Sequence, residues 1–345
     1  MPRFETNVEL ATRTTLGVGG KAAHYTRIES EADLLAALEW AGTRALEVRV
    51  LGGGSNIVIA DAGFAGLVLD MQLRGISQGQ SGTVHAAAGE PWDEFVAAMV
   101  ARNLQGIECL SGIPGRVGAT PIQNVGAYGQ DVSETITEVV TTDRVTRAQR
   151  TFRAEECHFA YRDSFFKSVE PGRFIVTQVS FQLRPGAAPA LRYAELERAF
   201  ADAPKPPSLA EARDTVIRLR RSKSMVVDAT DPNSRSCGSF FVNPVLSPDA
   251  LRAFTERAKG EGDIPQFPQP NGTTKLSAGW LIEHAGMPRG TRDGAVGLST
   301  KHALALVAHE SACAADITRL AKRVQAAVRD RFDVQLEPEP VFWGL

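Results

Sequence analysis

Cysteine is scarce in this 345-residue sequence. The four that occur, Cys109, Cys157, Cys237 and Cys313, are far apart and form no CxxC pair. That spacing excludes a disulfide-dense scaffold and suits a reducing compartment. No HExxH and no Cys/His cluster is present, so no metal site is expected. An excess of one charge is also missing. The 38 Lys and Arg against 40 Asp and Glu leave a net charge of −2, which excludes a global basic field for nucleic acid. No apolar run approaches the length of a membrane span. The opening Met1-Pro2-Arg3-Phe4-Glu5-Thr6 lacks the apolar core of a secretory signal. The expectation is a cytoplasmic protein, monomeric, without nucleic-acid or membrane partners. Hydrophobic residues at 43% and charged residues at 23% are ordinary for a soluble globular chain, and the length argues for two or three domains.

What is abundant is glycine, and it is concentrated. The run Ser111-Gly112-Ile113-Pro114-Gly115-Arg116-Val117-Gly118-Ala119-Thr120-Pro121-Ile122-Gln123-Asn124-Val125-Gly126-Ala127-Tyr128-Gly129 cannot be a regular helix or a central strand, because glycine admits positive φ and proline fixes φ and removes a donor. Such a run can bring bare backbone N–H groups close to an anion such as a phosphate or pyrophosphate. An ordinary surface loop is the competing reading. The length of the loop and its polar side chains Gln123, Asn124 and Tyr128 favour a ligand cradle.

A second glycine loop, Gly52-Gly53-Gly54-Ser55-Asn56, lies between the strand patterns Glu47–Leu51 and Ile57–Ile59. It is not a Rossmann fingerprint, since the third glycine is missing and β-branched residues follow where a helix is required. A tight hairpin turn also uses glycine. Gly17-Val18-Gly19-Gly20-Lys21-Ala22 has the wrong spacing for a P-loop and no Ser or Thr after the lysine. Ser30 starts a helix that carries Leu34, Leu35 and Leu38. Leu67–Met71, Thr83–Ala88, Ile136–Thr142, Arg173–Leu183 and Ala303–Ala308 read as strands. Pro91 is expected in the first turn of a helix ending near Asn103. Pro185-Gly186-Ala187-Ala188-Pro189 marks a break. Ser208-Leu209-Ala210-Glu211 is a capping box that opens a helix to about Arg221. Another helix is expected near Pro248–Lys259. A last one spans about Ala314–Arg331, with Ile317, Leu320, Val324 and Val328 on one face. The basic cluster Arg218, Arg220, Arg221 and Lys223 could meet phosphates or simply carry cations at a helix C-terminus. The fold class is α+β.

These segments together resemble the UDP-N-acetylenolpyruvoylglucosamine reductase family. The match is carried by Leu51–Asn56, Gly112–Gly115, Pro121–Gly129, Tyr161-Arg162-Asp163-Ser164-Phe165-Phe166-Lys167, Gly238-Ser239-Phe240-Phe241, Ala278-Gly279-Trp280-Leu281-Ile282 and Leu336-Glu337-Pro338-Glu339, in the family's order. The resemblance implies an FAD-binding domain of the vanillyl-alcohol-oxidase (PCMH) type plus a C-terminal α+β substrate domain. In segments, residues 1–70 joined by 333–345 and residues 71–207 would be the FAD-binding subdomains, and 208–332 would hold a UDP-sugar. The implied cofactor is noncovalent FAD, with NADPH as co-substrate. The implied reaction is reduction of UDP-N-acetylglucosamine enolpyruvate in peptidoglycan precursor synthesis.

Residue by residue, the resemblance assigns Gly52, Gly53, Gly54, Ser55, Asn56, Gly112, Ile113, Pro114, Gly115, Gln123, Asn124, Gly126, Ala127 and Tyr128 to FAD. Arg162 is the cation for the substrate carboxylate, a role suited to a planar guanidinium. Ser239 is the proton donor, and Glu339, rather than its neighbour Glu337, orients the carboxylate or a protonated intermediate. Tyr161, Tyr193, Lys223, Asn243, Lys275 and His302 are expected at the substrate, with Tyr193 as the capping tyrosine of one form of the family. Two departures stand out: Arg116 follows Gly115 where a small residue is usual, and Pro340-Val341 follows Glu339 where Val-Arg is common. A flavin oxidase of another small alcohol and a nucleotide-sugar-binding protein without redox chemistry are the competing functions.

Overall fold

The computed structural model describes residues 2–344. Met1 and Leu345, the outer ends of the first and last expected segments, lie outside the described residues. The chain divides into two compact units. One comprises residues 2–8, Ala22–Gly53 and Ala65–Ser222, and the other Glu9–Lys21, Gly54–Phe64 and 223–344.

The first unit is built on two sheets. In one, strands Phe4–Glu9, Lys21–Ile28, Phe64–Met71 and Val48–Leu51 lie in that order, the last two parallel. In the other, Gln149–Arg153, Ile136–Asp143, Phe174–Gln182, Thr83–Ala87 and Ile76–Gln78 form an antiparallel set. Helix Glu31–Gly42 begins at Ser30, whose Oγ accepts from the Asp33 amide at 3.1 Å, as the sequence pattern requires. Helix Trp92–Ala101 buries Trp92 and Phe95 against Phe181. Pro91 is the N-cap of this helix, with extended backbone (ψ 127°), instead of its first helical residue. A residue at that position keeps its own backbone outside the helix, so the missing N–H again costs nothing. Trp92 Nε1 donates to Leu110 O at 3.1 Å. The core aromatic thus fixes the chain one residue before the long glycine loop.

Helix Leu209–Ser222, expected to open the UDP-sugar segment, belongs to the first unit. Leu209 and Val216 are buried there, and Arg213 pairs with Asp93 at 2.6 Å.

The second unit packs the Ala314–Phe332 helix, through Ile317, Leu320, Val324 and Val328, against strands Val296–Leu298 and Leu306–Ala308. Its N-terminus is met by the Asp61 carboxylate, which accepts from Ala314 N at 2.7 Å and Ala315 N at 3.0 Å, a favourable charge for that end of the dipole. Strand Val341–Trp343 runs parallel to Ile57–Ile59, so the C-terminal segment belongs to this unit. The same pairing removes the hairpin reading of Gly52–Asn56. The strand before that loop pairs with Phe64–Met71 and the strand after it with Val341–Trp343. Leu306–Ala308 is shorter than the expected strand, because Ala305 N donates back to His302 O at 3.1 Å and closes a turn over residues 302–305.

Candidate active site

Each unit carries its own set of the expected site residues. The first holds Gly52, Gly53, the loop from Gly112 to Tyr128, Tyr161, Arg162 and Tyr193; the second holds Gly54, Ser55, Asn56, Lys223, Ser239, Asn243, Lys275, His302 and Glu339.

In the first unit the two glycine loops touch backbone to backbone. A Cβ on Gly53 would lie 2.6 Å from Gly115 Cα and 3.0 Å from its carbonyl carbon. Gly112 and Gly115 have φ of 72° and 128°, which L side chains rarely adopt. The Gly112 amide donates to Asp93 Oδ1 at 2.5 Å, and Arg213 grips the same carboxylate at 2.6 and 2.9 Å. Burial opposes the charge on Asp93, but hydrogen bonds from Arg213 and Gly112, with the nearby positive charge of Arg213 and Arg220, hold its carboxyl below the usual range. The entry of the loop is therefore tied to an ionised group. Two bare backbones pressed together form a cradle that a Cβ on Gly53 would fill, and this fits the loop to an extended phosphate-bearing cofactor.

The far end of the loop is a hairpin. Gly126–Ala127 pairs with Gln130–Asp131, and the two residues between, Tyr128 and Gly129, have φ of 50° and 80°, the signature of a type I′ turn. Asn124, at φ 45°, uses its side chain inside the protein: Nδ2 donates to Ala160 O at 3.0 Å and Oδ1 accepts from Ser133 N at 3.1 Å. Arg162 lies in a tight turn closed by the Ala160–Asp163 bridge, with φ 55°. Its guanidinium donates to Asn124 O at 3.2 Å and to Gly126 O, and stands 3.6 Å from the Asp131 carboxylate. The loop carbonyls thus aim the expected catalytic cation. Tyr193 meets Tyr128 edge to face, with centroids 5.3 Å apart. Burial raises the Tyr128 hydroxyl to about 12, so it is a neutral donor at any physiological pH.

In the second unit the backbone of Phe240, next to Ser239, ties that serine to the segments that carry His302 and Glu339. Phe240 N donates to Leu304 O at 2.8 Å, and Phe240 O accepts from Glu339 N at 2.9 Å. Ser239 precedes it, and its Oγ lies 3.5 Å from His302 Nε2. Gly238, at φ 77°, makes the bend that presents Ser239. The His302 turn is fixed by the buried Ser299 hydroxyl, which accepts from His302 N at 3.3 Å and Lys301 N at 3.1 Å. Glu339 is held on its other flank by Asn56, whose Nδ2 donates to Glu339 O at 3.4 Å while Asn56 O accepts from Val341 N at 3.0 Å. Glu337 is exposed and Glu339 is half-buried.

The loop after Lys223 is locked by Asp231. Its carboxylate accepts from Ser224 Oγ at 2.6 Å, Asn233 N at 2.9 Å and Lys301 Nζ at 3.3 Å. Asn233 in turn binds Thr300, beside His302. Burial would raise the Asp231 carboxyl; those hydrogen bonds bring it down to about 2 from an ordinary 3.8. A carboxyl held lower in the folded than in the unfolded chain stabilises the fold above the unfolded value, and that contribution is lost as pH falls through the folded value. Asp231→Asn should therefore unfold about 3 °C lower than the parent at pH 7. The gap should narrow as pH falls from about 4 toward 2. Thermal melts across that range check it; a gap that widens toward acid would contradict it.

Asn243 Oδ1 accepts from Ala278 N at 2.9 Å, which points the donor end of its amide the other way. Val245, Lys275 and Phe267 form one cross-strand row, with Lys275 Nζ 6.0 Å from the exposed Phe267 ring. Phe267 escaped the sequence reading; Arg220, named there only within the basic cluster, is half-buried near Tyr128 and Asp93, and burial lowers its guanidinium. Arg220 resolves the basic cluster in part: it is drawn inward, not displayed with Arg221 on the helix end. Arg116, one of the two departures, donates to Gly89 O at 2.6 Å. Among the described residues no group of three or more His, Cys, Asp or Glu could hold a metal ion, and no helix is long and apolar enough to cross a membrane.

Residues 22–149 match the family model of an FAD binding domain, so the class is that of FAD-binding flavoproteins. Residues 231–343 match the model of the UDP-N-acetylenolpyruvoylglucosamine reductase C-terminal domain. The chain is 46% identical to the UDP-N-acetylenolpyruvoylglucosamine reductase of Thermobifida fusca over 353 residues, covering 99% of this chain and 98% of that one. It is 47% identical to the reductase of the same name from Salinispora arenicola, with 96% and 93% coverage. The crystal structure of the Thermus caldophilus reductase superposes with a TM-score of 0.70 at 26% identity, covering 99% of this chain and all of that one. The chain belongs to the UDP-N-acetylenolpyruvoylglucosamine reductase family.

Proposed function

We propose that this chain reduces UDP-N-acetylglucosamine enolpyruvate to UDP-N-acetylmuramate with NADPH, in the cytoplasm, as a step of peptidoglycan precursor synthesis. The observation that carries the reading is membership of the family along the whole chain, through both the FAD-binding and the C-terminal segments. That membership sets aside the oxidase and the non-redox readings.

Bound FAD would supply the redox chemistry that carries a hydride from NADPH to the terminal carbon of the enolpyruvyl double bond. Gly52, Gly53, Gly54, Ser55, Asn56, Gly112, Ile113, Pro114, Gly115, Gln123, Asn124, Gly126, Ala127 and Tyr128 would hold it, the glycines by close backbone approach. Asn124 offers backbone only, since its side chain is engaged with Ala160 and Ser133.

The chain's own residues handle the charge and the proton. Hydride addition leaves negative charge on the neighbouring carbon and its carboxylate. Arg162, aimed by the Asn124 and Gly126 carbonyls, pairs with that carboxylate. Ser239 Oγ gives its proton to the new stereocentre. A serine hydroxyl is a weak acid and needs a neighbour to carry the charge or return the proton; His302 Nε2, 3.5 Å away, is placed to return it. Glu339 orients the carboxylate end. Lys223 and the Asn243 amide bind the diphosphate and nucleotide sugar. Lys275, with Phe267 beside it, flanks the substrate, and Tyr161 and Tyr193 cover it.

A product assay tests the reading. Each NADPH oxidised should convert one enolpyruvyl group, add two hydrogens to the UDP-sugar by mass, and consume no oxygen. NADPH oxidation that depends on oxygen and leaves the UDP-sugar unchanged would overturn it. Acid precipitation should release the FAD into the supernatant, as noncovalent binding requires.

A further inference from the structure

Glu108 is a carboxylate with no solvent exposure, and the reaction makes no use of it. Fully buried carboxylates are rare and need partners. Three neutral N–H donors meet this one: Gly106 N at 2.8 Å, Gln130 Nε2 at 3.0 Å and Ala190 N at 2.8 Å. The next residue repeats the pattern. Cys109 N donates to Gln130 Oε1 at 2.8 Å, and Cys109 Sγ donates to Ala190 O at 3.2 Å. Ala190 is therefore held at both its N–H and its C=O by two consecutive residues at the root of the glycine loop, while Gln130 ties in the hairpin at the loop's far end.

Ala190 stands three residues before Tyr193. Between them the chain lies on the hairpin turn: a Cβ on Gly129 would come within 3.2 Å of Arg192 Cβ and 3.6 Å of Tyr193 N, and Arg192 pairs with Glu134 at 2.9 Å. Tyr193 then packs edge-on against Tyr128. The seat of Tyr193 is thus built by the elements that form the cradle for FAD, and Glu108 is its fully buried side-chain anchor.

We infer that Glu108 is a positioning residue for substrate binding, acting through Ala190 to hold the Tyr193 segment against the loop. The inference rests on the reading that Tyr193 touches the UDP-sugar. An amide in place of the carboxylate turns one acceptor oxygen into a donor that faces N–H groups, so Glu108→Gln breaks the anchor at constant shape.

The test is a double-mutant cycle on the FAD-loaded enzyme with Glu108→Gln and Tyr193→Ala, reading KM for the enolpyruvyl substrate and the anaerobic rate of flavin bleaching by NADPH. Glu108→Gln should raise KM about tenfold or more, the scale of leaving a buried hydrogen-bonding group unpaired, and leave bleaching nearly unchanged. In the Tyr193→Ala background the same substitution should raise KM no further, because coupled residues are non-additive. A KM effect that persists in full in that background, or an equal loss of bleaching, would overturn the inference. Tyr193→Ala alone with an unchanged KM would instead overturn the reading of Tyr193. If Glu108→Gln does not fold with its flavin, Ala190→Pro removes the N–H from the other side and enters the same cycle with the same two outcomes.

Discussion

Ser239→Ala should bleach with NADPH at the parental rate, yet regain its flavin colour on addition of the enolpyruvyl substrate about a hundred- to ten-thousandfold more slowly. That range is what a positioned general acid contributes. The substitution is clean in structural terms. The contacts that hold this segment, Phe240 N to Leu304 O and Phe240 O to Glu339 N, are backbone and survive loss of the hydroxyl. Only the proton donor 3.5 Å from His302 disappears. Stopped-flow spectroscopy separates the two half-reactions. A return as fast as the parent's would remove Ser239 from the chemistry and leave His302 as the acid to examine.

Gly53→Ala should weaken FAD binding by about ten- to a hundredfold, the scale of a 1–3 kcal/mol overpacking cost. The new methyl would sit 2.6 Å from Gly115 Cα and 3.2 Å from Gly115 N, well inside an ordinary carbon–carbon separation of about 3.5–4.0 Å. Both partners are backbone, so no side chain can rotate aside, and the two loops must part. Gly52→Ala is the matched comparison: its methyl would meet only Ala119 Cβ, at 3.8 Å. Flavin content after dialysis checks the pair. Equal retention in both would show that the close approach of the loops does not govern the cofactor.

Local signals made much of this fold legible. Ser30 and Ser208 cap the helices they precede, because an N-cap is decided within four residues. The apolar face of Ala314–Phe332 is the face that packs. The irregular character of Ser111–Gly129 follows from its glycines and prolines alone. What the sequence hides is decided at long range. Nothing local pairs Ile57–Ile59 with Val341–Trp343, and that pairing sets Asn56 beside Glu339. Nothing local marks Tyr128 as a positive-φ residue, since the I′ turn is enforced by the Gly126–Asp131 pairing around it. Nothing in the sequence around Glu108 marks it as buried; its donors Gly106, Gln130 and Ala190 are brought to it by the fold. Ala303 looks like strand, yet the Ser299 hydroxyl bends the chain there and puts His302 next to Ser239. For the site, motif order named the residues; the contacts that aim them come from the fold.

The central claim is that one protein carries both half-reactions, and the visible spectrum of the purified protein without oxygen tests it most directly. On adding NADPH the oxidised flavin band near about 450 nm should disappear. On adding UDP-N-acetylglucosamine enolpyruvate it should return with the rise of the reduced UDP-sugar. A band that never bleaches, or that returns only when oxygen is admitted, would contradict the account.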